Sequence, residues 1–490
     1  MRSAIRKALE LAKRGVAKIV LELPTGYGKT SAAPLIYRAY REAGLCWKAI
    51  HVFPLRAVLH KTLKRYVKEH PDIQFAYQDG DVTLKGNGYV KDPWFTSEYV
   101  LTTYDSFVHN LFKVPVAEFR KAARSGKGIH YHWAIAEIYP SCVFLDEAHL
   151  TAEGAKQASA VAVAVEALAD MEVPVVVFSA TMGKWKHSVF KDFVFVQLGE
   201  RDEEGDDLVI VKDEEFEGAM KETSYSTAVI DVDDVARIAR RKVEVGKRVL
   251  VVVNDLKKVA ALADELRDLK PVLIHSMLTR NDREKAEEAL GDTWLVVGTG
   301  AIEAGVDVSF DVLISDVPSV ESVVQRVGRV CRYGGRCRGE LYFFGKGAEK
   351  LEGIRSWRLP YKDGSYVEYL SVELPGLHTA FLRRLVRSLW VEEISELVRK
   401  MGLSLFRDGL LVEAATPAAA TTPCVDASGS FAADIAKLAE LGYADTIDGE
   451  RISGDPYKFA LDYFDRKGEL PVVLVDDYKT GAGPGRLWSA

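Results

Sequence analysis

Residues 299–308 read T-G-A-I-E-A-G-V-D-V, and residues 325–332 close the same tract with Q-R-V-G-R-V-C-R. Two stretches far upstream give that tract its meaning. Residues 23–30 read L-P-T-G-Y-G-K-T, and Asp146, Glu147, Ala148 and His149 lie between the two. A glycine-bearing turn between strand and helix offers backbone amides and a helix N-terminus to phosphate. An acidic pair at a strand end faces the same crevice. A distal arginine block can reach that crevice from a second domain. In this order the three are the parts of a nucleic-acid-driven ATPase.

Apolar strand-like runs alternate with helical stretches on both sides of these motifs. One series occupies residues 19–23, 49–53, 100–103, 142–145 and 175–178; a second occupies 249–253, 272–274, 294–297, 312–314 and 341–344. Short, nearly continuous apolar strands between helices predict parallel sheets covered on both faces. The fold class expected is α/β, with two tandem parallel-sheet domains over residues 1–215 and 216–350. The acidic run at 199–217 reads as the exposed linker between them. Residues 351–490 are expected to form a mainly α accessory region, with helix over 377–402 and a small-residue, proline-bearing linker over 414–423.

The composition suits this reading. A chain of 490 residues is too long for one core. Its 48% hydrophobic and 28% charged residues are those of an ordinary globular protein. No apolar run approaches the ~18 residues that span a bilayer, and Ile5, Leu9, Ala12 and Val16 are spaced as one face of an amphipathic helix. Five scattered cysteines suggest neither a disulfide framework nor a zinc knuckle, so a cytoplasmic protein is expected. Asn and Gln number nine against 136 charged residues, as in thermophile proteins. A net charge of −6 still allows a locally basic cleft for nucleic acid; residues 61–68, 237–248 and 332–338 are the basic stretches.

Each motif then takes a role. Pro24, Thr25, Gly26, Tyr27, Gly28, Lys29 and Thr30 are expected to cradle ATP, with Lys29 on the β- and γ-phosphates and Thr30 on Mg²⁺. Asp146 would share the Mg²⁺, and Glu147 would orient and deprotonate the attacking water. Ser179, Ala180 and Thr181 end another apolar strand, and with His149 they are placed to couple nucleotide state to the acidic box. Gln325, Arg326, Arg329 and Arg332 form the distal block. Guanidinium groups match two phosphate oxygens at once, so Arg329 and Arg332 are expected to act as arginine fingers and Arg326 to touch the nucleotide.

With these residues in place the chain resembles a superfamily 2 helicase, which implies that the two parallel-sheet domains are RecA-like, with the ATP cleft between them. More narrowly it is similar to the helicase of type I CRISPR interference systems. The narrower resemblance rests on Phe53-Pro54-Leu55-Arg56-Ala57, Thr102-Thr103-Tyr104-Asp105, His275-Ser276, residues 302–307 and the block from Gln325 to Arg332. It spans roughly residues 19–338. It implies contacts from Arg56, Thr102, Thr103 and Thr299 to a single-stranded backbone, which position a strand without reading it. It also places Gly305 and Asp307 near the nucleotide. The partners implied are single-stranded DNA, a Cascade-type CRISPR surveillance complex and an HD nuclease. Since none of the ten histidines precedes an aspartate, the nuclease is expected to be a separate polypeptide. Two other readings stay open at this level: a superfamily 2 enzyme acting elsewhere on DNA or RNA, and a nucleotide-binding scaffold without turnover.

Overall fold

The computed structural model describes residues 1–79, 89–113, 115–118, 130–152, 155–183, 185–303, 308–370, 421–426, 429–467 and 471–488, with single helical positions at 379, 382, 383 and 386. Two large sheets dominate. The first contains β1 (Lys18–Glu22), β2 (Lys48–Phe53), β3 (Phe75–Gln78), β4 (Val90–Lys91), β5 (Tyr99–Thr103), β6 (Ser141–Leu145), β7 (Val175–Ser179), β8 (Val194–Leu198), β9 (Glu203–Glu204) and β10 (Leu208–Val211). Their order is β4-β3-β5-β2-β6-β7-β1-β8-β10-β9, parallel throughout except for the β9–β10 pair. The second contains β11 (Thr223–Val229), β12 (Val249–Val252), β13 (Val272–Ile274), β14 (Leu295–Gly298), β15 (Val312–Asp316) and β16 (Cys337–Phe344), all parallel, in the order β11-β16-β15-β12-β14-β13.

The parallel arrangement follows from strands that are apolar on both faces. Val20, Ile50, Val143 and Val175 face one core of the first domain, while Ile19, Leu21, Phe144 and Val176 face the other. In the second domain Leu250, Val296 and Leu313 oppose Val249, Val251 and Val297 in the same way. Helices cover both faces, because parallel strands need crossovers. Every parallel strand therefore delivers its following loop to one carboxyl edge, where ligands of such sheets bind.

The acidic stretch departs from expectation. It is no free linker: Leu208–Val211 pairs with β8, and β9 and β10 form a hairpin at the sheet edge. Glu204 meets Lys7 at 2.7 Å and Arg14 at 2.8 Å on the N-terminal helix Ser3–Lys13, so these acids answer bases across the fold. The passage to the second sheet is the short helix Glu214–Lys221.

Beyond residue 370, the helix expected over 377–402 falls almost wholly outside the described residues. The linker expected over 414–423 does so up to residue 420, and Thr421–Asp426 forms strand β17. With β18 (Gly429–Asp434) and β19 (Val473–Leu474), β17 makes a small sheet in the order β18-β17-β19. The accessory region thus adds a β component to its helices Ile435–Glu440 and Pro456–Lys467. It packs on the second domain around Met277, Leu438, Tyr443 and Val475. No helix among the described residues is long and apolar enough to cross a membrane.

Candidate active site

The loop after β1 turns through Gly26 (φ +76°) and Gly28 (φ +97°), left-handed positions that a side chain resists. The helix Lys29–Glu42 starts immediately afterwards. Lys29 is buried, and its Nζ donates to the carbonyls of Leu23 (2.6 Å) and Pro24 (3.2 Å). Burial lowers its pKa, and Glu147 and Asp146 oppose that shift. Thr30 Oγ1 donates to Asp146 Oδ2 at 2.8 Å. Two hard oxygen donors, a hydroxyl and a carboxylate, are thereby paired across 116 residues at the loop's mouth. That donor set suits Mg²⁺, which takes few protein ligands and completes its shell with phosphate and water.

Asp146 is braced from behind. His51 Nε2 lies 3.6 Å from Asp146 Oδ2 within a cage of Phe53, Phe144 and Phe178. Tyr104 donates to the Asp146 carbonyl at 3.1 Å, and Tyr66 donates to the Thr30 carbonyl. Glu147 follows in a left-handed conformation (φ +48°), a costly geometry for a non-glycine residue. Its side chain is 28% exposed, yet Oε2 is buried without a hydrogen bond. Burial raises the Glu147 pKa, while Lys29, Arg329 and Arg332 pull it down. A carboxylate held up by burial and faced by three cations is poised to exchange a proton.

The other first-domain residues extend this network. His149 Nδ1 lies 3.1 Å from Ser179 Oγ and 3.4 Å from Glu147 Oε2. Burial drives the His149 pKa down to about 3, so the ring is neutral. Ser179 Oγ donates to the Thr181 carbonyl at 3.0 Å, around the buried Ala180. Tyr27 differs from expectation: its ring is buried and its hydroxyl donates to Asp213, so only its backbone can serve a phosphate.

The second domain brings its arginines to the same crevice, with one exception. Arg329 and Arg332 exert their charge on Glu147, and Arg332 also acts on Lys29. Arg326, expected at the nucleotide, is fully buried within its own domain. It binds Glu303 Oε1 (2.7 Å), Ser315 Oγ (2.7 Å), Asp316 Oδ1 (2.7 Å) and Asn254 Oδ1 (2.8 Å). With its donors engaged there, it is a structural hub. Gln325 is buried, and its Nε2 has no hydrogen-bond partner. Gly305 and Asp307 lie outside the described residues.

The strand-contact residues divide. Arg56 is exposed at the start of the helix Arg56–Glu69, and Thr299 is half-buried after β14. Thr102 is fully buried, and the Thr103 hydroxyl caps the helix Tyr104–Leu111 by accepting from Ser106 N. Neither threonine hydroxyl is presented to a strand in this arrangement.

Several site residues have no sequence signal: His51 and Tyr66 look like core, and Arg358 lies beyond every motif. The cysteine expectation also fails, since Cys331 and Cys337 form a disulfide around Arg332. Their six-residue separation is the signal that could have shown it.

Comparison with known proteins agrees with this geometry. Residues 2–189 match the DEAD/DEAH box helicase family, and residues 245–335 match the C-terminal part of CRISPR-associated nuclease/helicase Cas3. The CRISPR-associated helicase Cas3 of Thermoproteus tenax is 26% identical over 353 residues, 69% of this chain and 57% of the relative. A CRISPR-associated nuclease/helicase Cas3 of Streptococcus thermophilus is 22% identical over 64% of this chain and 39% of the relative. The chain thus spans about half the length of these curated relatives. Its fold is shared with T. fusca Cas3 (TM-score 0.59, 13% identity, 99% of this chain and 69% of that one). The helicase MrfA bound to DNA and AMPPNP shares it too (TM-score 0.54, 16% identity, 81% and 57%).

Proposed function

We propose that this chain, which joins a DEAD/DEAH box helicase domain to a Cas3-like C-terminal helicase domain, is an ATP-driven translocase on single-stranded DNA that unwinds target DNA in CRISPR interference. The observation that carries the reading is the crevice itself. Lys29, Thr30, Asp146 and Glu147 converge from one domain, and Arg329 and Arg332 act on Glu147 from the other.

The chemistry follows from those positions. Lys29 leaves the Leu23 and Pro24 carbonyls to bind the β- and γ-phosphates, where its charge is better satisfied. Thr30 and Asp146 would hold Mg²⁺, which neutralises phosphate charge as it develops. Glu147 orients a water toward the γ-phosphorus and takes its proton, helped by burial that raises its basicity. Arg329 and Arg332 stabilise the charge spreading over the γ-phosphate, a contribution of about 10³–10⁵ in turnover for such arginines. Because they come from the second domain, hydrolysis depends on the domains meeting. Release of phosphate then loosens them, which moves Thr299 on one domain relative to Arg56 on the other along the strand. The His149–Ser179 contact links the acidic box to β7 and is placed to relay that change.

The names of the relatives support a CRISPR surveillance complex as recruiter, and the family resemblance supports DNA as the track, 3′ to 5′ as the direction and an HD nuclease as the activity it works with. The test is steady-state ATP hydrolysis alone and with single-stranded DNA, duplex DNA or single-stranded RNA, using Glu147→Gln as the blank. Stimulation by single-stranded DNA is expected. Preference for RNA would move the protein to another branch of the superfamily. Absence of any stimulation would leave a nucleotide-binding scaffold.

A further inference from the structure

The segment after the second sheet crosses between the two domains within a few residues. Trp357 is buried in the second-domain core, with its ring 5.9 Å from Phe343 and 6.3 Å from Tyr366. Leu359 and Tyr361 already pack in the first-domain core, and Lys362 pairs with Glu200 at 2.7 Å. Arg358 lies at the crossing and is only 4% exposed. Its Nη2 donates to the carbonyls of Thr25 in the phosphate loop (3.0 Å) and of Arg332 in the arginine block (3.3 Å). The same nitrogen would lie 3.7 Å from a Cβ built on Gly26.

Nε and Nη1 are buried without a hydrogen bond of good geometry; the polar group beside them is the Tyr225 hydroxyl, which burial keeps neutral and which donates to the Val330 carbonyl. A buried cation with unpaired donors is strongly unfavourable unless an anion meets it. The neighbouring charges do not supply one. Arg332 and Lys29 both act on or feel Arg358 as like charges, and the carboxylates that oppose Lys29 are Glu147 and Asp146. Four cations, Lys29, Arg329, Arg332 and Arg358, thus gather where two acids face them.

We propose that Arg358 is a third arginine of the nucleotide site, binding the polyphosphate between the loop at Thr25 and the arginine block. This rests on the ATP reading of the cleft and adds to it a residue from outside the sequence motifs. It makes the segment from Trp357 to Tyr361 a tie that is tightened when a di- or triphosphate is bound, because one guanidinium serves the loop, the block and the ligand together.

The test compares wild type with Arg358→Ala and Arg358→Lys, by calorimetric titration with ATP, ADP and AMP in Mg²⁺ and by thermal melting with and without pyrophosphate. A polyphosphate ligand predicts at least tenfold weaker ATP binding in Arg358→Ala, AMP binding changed less than twofold, and partial rescue by lysine. It also predicts a melting temperature without ligand that is equal or higher in Arg358→Ala, and loss of the rise that pyrophosphate gives wild type. Equal weakening of ATP and AMP, or a lower melting temperature without ligand, would make Arg358 a structural tie only and overturn the proposal. Failure of wild type to bind ATP would instead overturn the ATP reading itself.

Discussion

Gly328 stands so close to Thr25 that a Cβ on it would lie 2.3 Å from the Thr25 hydroxyl and 3.1 Å from the Gln325 carbonyl. This is where the arginine block touches the phosphate loop, and a missing side chain sets the approach. Gly328 has a helical φ of −58°, so alanine suits its backbone and the obstacle is the neighbour alone. Gly328→Ala should therefore wedge the two domains apart. Hydrolysis is expected to fall roughly 10–100-fold, as small misplacements of reacting groups do, with thermal stability nearly unchanged. Full activity in the variant would show that the contact is dispensable.

Glu147 gives a prediction in pH. In its proposed role as base it must be deprotonated, and burial raises its pKa, so the acid limb of the turnover profile should lie above the ordinary carboxylate range. Arg329 pulls that pKa down. Residual activity in Arg329→Ala should accordingly need a higher pH than wild type. Glu147→Gln should cost about 10²–10⁴ in turnover. An acid limb that stays in place in Arg329→Ala would rule out Glu147 as the titrating group.

Arg326 and Arg329 are three residues apart and should fail differently. Arg326→Ala strands Glu303 and the partly buried Asp316, and breaking a buried ion pair costs about 3–5 kcal/mol. Its signature is a lower denaturation midpoint. Arg329→Ala should lose turnover with far less change in midpoint. Denaturant titrations of both variants, beside their hydrolysis rates, separate the buried hub from the proposed finger; equal midpoints would contradict the division.

The Cys331–Cys337 disulfide closes a short loop that carries Arg332. By loop-closure entropy it should stabilise the second domain by about 2 kcal/mol. Reductant should lower the melting temperature of wild type and slow its hydrolysis by freeing Arg332, and should do neither in a Cys331→Ser, Cys337→Ser double variant. Identical melts of wild type with and without reductant would remove the bond's structural role.

Three buried histidines are held neutral: His109 and His275 have pKa values pushed down to about 4, and His149 to about 3, each mainly by burial. Unfolded, they titrate at the ordinary value of 6.5. Between these limits the unfolded chain binds more protons, so stability is complete above pH 6.5 and declines as the pH falls toward 4. Denaturation midpoints measured from pH 7.5 to pH 5 should drop below pH 6.5. A flat profile would mean that these rings are not buried as described.

The ten strands read from apolar runs all exist, because a strand buried on both faces must be apolar along its length. Among those that escaped notice, β9 (Glu203–Glu204) and the half-exposed β11 (Thr223–Val229) carry polar or charged residues, whereas β8 and β10 are apolar and were hidden by the acidic stretch between them. Edge strands need not be apolar, so their sequence imitates loops. The acidic run misled for the same reason: its charges are matched by Lys7 and Arg14, nearly two hundred residues away. At the candidate site, spacing singled out Lys29, Thr30, Asp146 and Glu147, which the structure brings together. Spacing could not separate Arg326 from Arg329, since a pattern of arginines does not say which one meets a carboxylate inside its own domain. Arg358 shows the same limit, having its place through tertiary packing alone.

The hydrogen bond between Tyr27 and Asp213 bears on how the protein can be taken apart. Asp213 caps the helix Glu214–Lys221, which leads into the second domain, and it also accepts from Ser3 N. Arg2 lies over the rings of Tyr27 and Phe216. A fragment ended at Val211, the end of the first sheet, would keep every strand of that sheet but deprive the phosphate loop of its anchor. A piece that keeps the loop anchored as it is here therefore reaches past Phe216, and cutting the chain at its sheet boundary would remove that anchor.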